Sequence, residues 1–234
     1  MKRFWDSAAA APQPGGFGVL LDGRPVRLPG GAPLVVPTAP LAGAIADEWA
    51  QAGGSKGGEM SFADLPLTRL AGTAQERIAP DPGPTVVALA KYAETDLLCY
   101  RAEDPRLAAE QAESWEPLLD WAALQLDAPL RSTAGLMPVS QDPTALAALR
   151  RAVAALSAIE LAALGVLVPA LGSLVLGLAV VHGRLEAAEA HRLATLDEAF
   201  QERFWGTDAE ALARRQRVGA ELALAARMVA LVRA

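Results

Sequence analysis

Apolar positions fall into two regimes along this chain. Up to about residue 80 they come in short runs cut by glycine and proline; beyond it they recur at helical spacing. Phe17-Gly18-Val19-Leu20-Leu21 and Pro25-Val26-Arg27-Leu28 flank Asp22-Gly23. That dipeptide predicts a hairpin with a type I′ turn, because glycine accepts positive φ. Leu34-Val35-Val36 reads as another short strand. Thr38 is placed to cap a helix with Leu41, Ile45 and Trp49 on one face, ended by Gly53-Gly54. A further helix is expected near Leu67 to Ile78. The Pro80-Asp81-Pro82-Gly83-Pro84 run then breaks the pattern. The expected fold class is α+β: a small α+β domain with a β-hairpin over residues 1–80, followed by an all-α helical domain over 81–234.

In the second part Thr85 is read as the cap of a helix carrying Val86, Leu89, Ala90 and Ala93. Asp104-Pro105 and Asp142-Pro143 each place a cap residue before proline at the first helical position. Leu107, Trp115, Leu118 and Ala122 form the inward face of the first of these helices; the second carries Leu146, Leu149, Val153 and Leu156. Leu130 to Met137 reads as an extended stretch that can return to the N-terminal sheet. Helices are also expected over Leu185 to Trp205 and over Asp208 to Val232, the last opened by a Thr207-x-x-Glu210 capping box.

From Leu161 to Val181 no residue is charged, and that length could span a bilayer. Gly165, Pro169, Gly172, Ser173 and Gly177 argue against a single span. Ser157 and Glu160 form a capping box, so the reading preferred here is a helix that stops before Pro169 and a second from about Ala170 to His182, both buried in a helical core. The first residues, Met1-Lys2-Arg3-Phe4-Trp5-Asp6, have no apolar signal core, and neither a secretory signal nor a transit peptide is expected.

Composition narrows the chemistry. The 234 residues are 52% hydrophobic and 21% charged, enough to build a core. A net charge of -6, with no Lys/Arg run, argues against a nucleic-acid binder. Cys99 is the only cysteine, and His182 and His191 are the only histidines, which leaves little for a disulfide, a metal centre or a histidine relay. Gly15-Gly16-Phe17-Gly18 lacks the spacing and the ending of a phosphate loop. Cys99 has no base in reach along the chain and reads as a small buried apolar group. No catalytic, metal or cofactor residue is assigned.

Leu196 to Gly206 is the most informative stretch. Leu193, Leu196, Phe200 and Phe204 make an apolar helical face, with Phe200 and Phe204 assigned to the core. Asp197, Gln201 and Trp205 fall at i, i+4 and i+8 as a second stripe, and Gly206 stands at the C-cap. Asp197 and Glu198 are adjacent and so diverge by about 100° around a helix, a poor acid–base pair. A solvated face is the bland account of these charges. Trp205, at a helix end beside charges, is the best candidate for an exposed anchor. An acidic, aromatic helix end with no catalytic partner points to a surface that binds another protein.

Several motifs, in this order along nearly the whole chain, carry a family resemblance. They are Lys2-Arg3-Phe4-Trp5, Gly16-Phe17 leading to Leu21-Asp22-Gly23-Arg24-Pro25, Val36-Pro37-Thr38, Glu48-Trp49 and Leu65-Pro66-Leu67-Thr68-Arg69-Leu70. Then come Tyr92 to Arg101, Trp115-Glu116-Pro117-Leu118-Leu119-Asp120-Trp121, Gly172-Ser173-Leu174-Val175-Leu176 and Leu196 to Gly206. In these the chain resembles the assembly chaperones for the F-one sector of ATP synthase, of the Atp-twelve type. The resemblance implies two domains, no enzymatic activity and no cofactor. It implies a client, the unassembled alpha subunit, whose apolar contact surface is covered until a beta subunit takes its place. The family's acidic pair, which matters to its activity, matches Asp197 and Glu198, with aspartate first where some members have glutamate. The candidate partner-binding set is therefore Asp197, Glu198, Gln201 and Trp205. Because the match begins at residue 2, a bacterial cytoplasmic protein is implied, with no integral membrane insertion. Two alternatives stand beside this reading: a small-molecule enzyme using Cys99 and nearby acids, and a membrane-associated assembly factor prompted by Leu161 to Val181.

Overall fold

The computed structural model describes residues 1–134 and 139–234. Its strands are β1 (Ala8–Gln13), β2 (Gly16–Leu21), β3 (Arg24–Pro25), β4 (Val35–Val36), β5 (Tyr100–Arg101) and β6 (Thr133–Ala134). Its α-helices are α1 (Ala39–Gln51), α2 (Pro66–Thr73), α3 (Gly83–Ala90), α4 (Pro105–Leu126), α5 (Pro143–Ala154), α6 (Ala158–Leu171), α7 (Leu174–Val181), α8 (Ala187–Ala194), α9 (Leu196–Trp205) and α10 (Ala209–Arg233). A small sheet comes first and helices follow, as the α+β expectation requires. Two compact units result. One holds Met1–Pro82, Ser157–Ala163 and Arg227–Ala234; the other holds Gly83–Leu156 and Leu164–Ala226.

In the first unit β2 pairs antiparallel with β1 and β3, and also with β4. Asp22 and Gly23 both have positive φ, 47° and 81°, which is the type I′ turn the dipeptide predicts. The Asp22 carboxylate accepts from the Ser7 amide at 2.8 Å and ties the hairpin to the chain before β1. Thr38 caps α1 as expected. Buried Arg3 donates to the carbonyls of Ala50 at 2.7 Å and Gly54 at 2.9 Å, closing the C-terminal end of α1. The Trp5 indole donates to the Trp49 carbonyl, and the Trp49 indole to the Thr68 hydroxyl, each at 3.0 Å. Glu48 accepts from the amides of Leu67 at 2.6 Å and Thr68 at 3.0 Å, serving the orphan donors at the start of α2.

In the second unit the short turn before β5 carries Asp96, which is fully buried. Its carboxylate accepts from Leu98 N–H at 3.1 Å, the Ser173 hydroxyl at 2.7 Å and Val175 N–H at 3.0 Å. Ser173 in turn caps α7 through Leu176 N–H. Gly177 lets α7 approach α6, since a Cβ there would lie 2.7 Å from Val168.

Several expectations need correction. The first apolar helix does not stop before Pro169; α6 runs to Leu171, and Gly172, at φ +63°, makes the break. Pro169 and Gly165, its i−4 neighbour, are both exposed, so the carbonyl that loses its N–H partner can turn to water. The helix over Leu185 to Trp205 is two helices, divided at Thr195, whose hydroxyl donates back to the His191 carbonyl at 2.9 Å. α3 begins at Gly83, so Thr85 lies inside it. α10 is capped by Asp208, which accepts from Ala211 N–H at 2.8 Å, rather than by a Thr207 box. In the stretch from Leu130, Thr133–Ala134 pairs in parallel with β5 and not with the N-terminal sheet; Gly135 to Met137 lie outside the described residues. No helix among the described residues is long and apolar enough to cross a membrane.

Candidate partner-binding surface

α9 is held by polar pairs on both flanks. Asp197 accepts from Gln111 Nε2 of α4 at 2.7 Å, while Gln111 Oε1 accepts from Ala102 N–H at 2.7 Å. Gln111 is only 1% exposed, so Asp197 satisfies a donor that would otherwise be stranded. Just before α9, the buried Trp115 indole donates to the Leu193 carbonyl at 3.1 Å. Glu198 points the other way, toward α10, with Arg214 at 3.2 Å and Arg215 at 3.6 Å. Glu202 also pairs with Arg215. Arg203 forms a bidentate pair with Glu110 of α4, at 3.0 and 2.6 Å. These partners hold the Glu110 and Glu202 carboxyls below the usual glutamate value.

The aromatic residues divide. Phe200 is buried beneath two cations, with the Arg203 guanidinium 4.7 Å and the Arg106 guanidinium 5.7 Å from its ring. Phe204, assigned to the core on its spacing, is instead 56% exposed; it lies 5.2 Å from Phe200 and carries Arg106 at 5.3 Å. Trp205 is 88% exposed, and Gln201 is also exposed. Gly206 ends the helix at φ 80°. The four predicted residues therefore separate: Asp197 and Glu198 are engaged within the fold, and Gln201 and Trp205 face outward. The counter-charges Glu110, Arg203, Arg214 and Arg215, and the buried Gln111, were not singled out by sequence reasoning. Only an i, i+4 or i, i+3 pairing within one helix would have announced them, and these pairs join different helices.

The Cys99 reading finds no geometric support. Its side chain is fully buried, and burial together with the Asp96 charge pushes the thiol up to about 12. Asp96 spends its lone pairs on its own turn and on the start of α7. Among the described residues no cluster of histidine, cysteine and acids could hold a metal ion.

Comparison with known proteins decides the family. The model of the ATP12 chaperone protein family matches residues 2–123, more than half of the chain. The chain belongs to the ATP12 chaperone family. It is similar to the mitochondrial protein atp12 of Schizosaccharomyces pombe, with 27% identity over 218 residues, covering 88% of this chain and 74% of the yeast protein. It is also similar to the crystal structure of Atp12 from Paracoccus denitrificans, at 46% identity and a TM-score of 0.92, covering 99% of this chain and 98% of that one. A mutant of the P. denitrificans Atp12p gives 45% identity and a TM-score of 0.93, over 99% and 97% of the two chains.

Membership in the ATP12 family gives the resembling motifs a physical reading. Most of them meet one another. Trp5 meets Trp49, Glu48 meets Leu67 and Thr68, and Asp96 meets Ser173 and Val175. These motifs are the joints of the scaffold. The outer face of α9 belongs to such a motif yet has side chains left over.

Proposed function

We propose that this ATP12-family chaperone serves ATP synthase assembly by binding the unassembled alpha subunit of the F-one sector. It shields the apolar interface of that subunit until a beta subunit replaces it, in the bacterial cytoplasm. Exposed interface surface drives aggregation, and a holder that binds only the unassembled form suppresses it by mass action. The observation that carries the reading is Trp205, which stands 88% exposed at the end of a helix whose charged groups are paired. An indole presented on a fixed helix end is the kind of group that anchors protein interfaces at low entropic cost. In this reading Trp205 and Gln201 touch the client, and Asp197 and Glu198 fix the helix that presents them.

The test is to co-express the chain with the alpha or the beta subunit of its own ATP synthase and ask which one co-purifies and stays soluble. Alpha alone should be captured, and Trp205→Ala should abolish capture while the variant stays folded. Equal capture of beta, or undiminished capture by the Trp205 variant, would falsify the reading.

A further inference from the structure

A second surface lies in the first unit. A groove of about 1040 Å³ is lined by the β2–β3 hairpin with the residues just after it, by α2 and by the turn that follows α2. Leu21, Val26, Leu28 and Trp49 line it and are each no more than 7% exposed, so its floor is apolar. Gly72 of α2 packs closely on that floor, since a Cβ there would already stand 3.0 Å from the Leu28 side chain. Eight large apolar side chains are strongly exposed among the described residues, and three of them, Met1, Phe4 and Phe62, line this one groove. Such clustering is what distinguishes an interaction site from scattered exposed residues.

Its charge is opposite to that of the chain. Arg24, Arg27, Arg69 and Arg77 line the groove against a single carboxylate, Glu76, on a protein of net charge -6. Arg27 donates to the Gly31 carbonyl at 2.7 Å, and Glu76 is held by Gly30 N–H at 2.7 Å. Among the described residues the Arg24, Arg69 and Arg77 guanidiniums make no ion pair or hydrogen bond. The turn after α2, Ala74–Ile78, is a π-helical turn, a rare geometry that occurs frequently at functional sites. Within it Gln75 is clamped to the Pro33 carbonyl at 2.9 Å and to Val35 N–H at 3.0 Å.

We propose that this groove docks a polypeptide segment with an apolar core flanked by carboxylates. The apolar floor takes the core, and the free guanidiniums take the flanking acids, to which their planar forks are matched. Concavity favours a peptide over a flat anionic membrane, which would meet a raised apolar surface better. The inference stands apart from the α9 reading, since it concerns other residues in the other unit.

The test uses the full-length protein and fluorescence anisotropy with a short labelled peptide carrying leucine and phenylalanine between glutamates. A copy with every glutamate changed to glutamine, and vesicles of phosphatidylglycerol, are run in parallel. The acidic peptide should bind about tenfold more tightly than its glutamine copy, and the advantage should shrink as salt rises. Arg69→Glu with Arg77→Glu should remove it, Phe62→Ser should weaken both peptides, and Trp205→Ala should change neither. The salt series on the unaltered protein keeps the test valid if the double variant fails to fold. Equal binding of the two peptides, binding of neither, or capture by vesicles in place of the acidic peptide would each overturn the proposal.

Discussion

Asp96 and Asp197 both tie one element of the second unit to another, but under different conditions. Asp96 is fully buried and gathers three donors from its own turn and from the start of α7. Asp197 is half-buried and takes one, from Gln111 of α4. The three residues that donate to Asp96, Leu98, Ser173 and Val175, are all buried. Around Asp197 the neighbours are ion pairs that reach water, and one turn beyond them the helix leaves Phe204 and Trp205 exposed. A buried carboxylate with several donors fixes a fold. A half-exposed one with a single buried donor fixes the attitude of a surface. The same residue type, each time within a family motif, thus serves scaffold and surface, and the donors around it decide which.

That contrast can be broken most directly at Asp96. Asp96→Ala strands three buried donors, each costing about 1–3 kcal/mol, and should lower stability in urea denaturation by about 3 kcal/mol or more. Asp197→Ala strands only the Gln111 amide and should cost about 1–2 kcal/mol. A loss at Asp197 equal to that at Asp96 would erase the distinction.

Acid should separate the two regions further. Glu110 and Glu202 are held below their ordinary value of 4.5 by Arg203 and Arg215. A lowered carboxyl contributes stability that is complete above its ordinary value and is lost as pH falls through the folded one. Burial raises Asp96 above its ordinary 3.8 instead, and a raised carboxyl keeps its contribution at low pH and loses it as pH rises. Below pH 4.5, hydrogen-exchange protection should therefore fall in α9 before it falls in α7. The smallest effect on stability belongs to Trp205→Ala, within about 0.5 kcal/mol, since the side chain stands in solvent. If that variant unfolds the protein, Trp205 is a packing residue and the surface reading fails.

Sequence made the locally encoded parts legible. Asp22-Gly23 dictates its own turn, and Asp104-Pro105 and Asp142-Pro143 cap their helices through atoms two residues away. β1 was not foreseen. Its Ala-Ala-Ala-Ala-Pro-Gln sequence has little intrinsic preference for a strand, and it becomes one through six paired positions along β2. At the surface, Trp205 was legible from its place before Gly206. Phe204 was not, because spacing says which face a residue is on and not whether a partner covers that face. Here Arg106, from the start of α4, lies over the ring and leaves it largely in water.

The turn at Gly172–Ser173 bears on more than packing. A bilayer-crossing helix needs about 20 apolar residues, and the uncharged run from Leu161 to Val181 has that length. The turn ends α6, of 14 residues including three that precede the run, and separates it from α7, of 8, each too short to cross. Replacing Gly172 and Ser173 with good helix formers would remove the positive φ and the cap together. The two halves could then join into one apolar rod, and the cell's membrane-insertion machinery would meet a candidate span. Two small residues thus keep a run of span length from forming a single span-length helix.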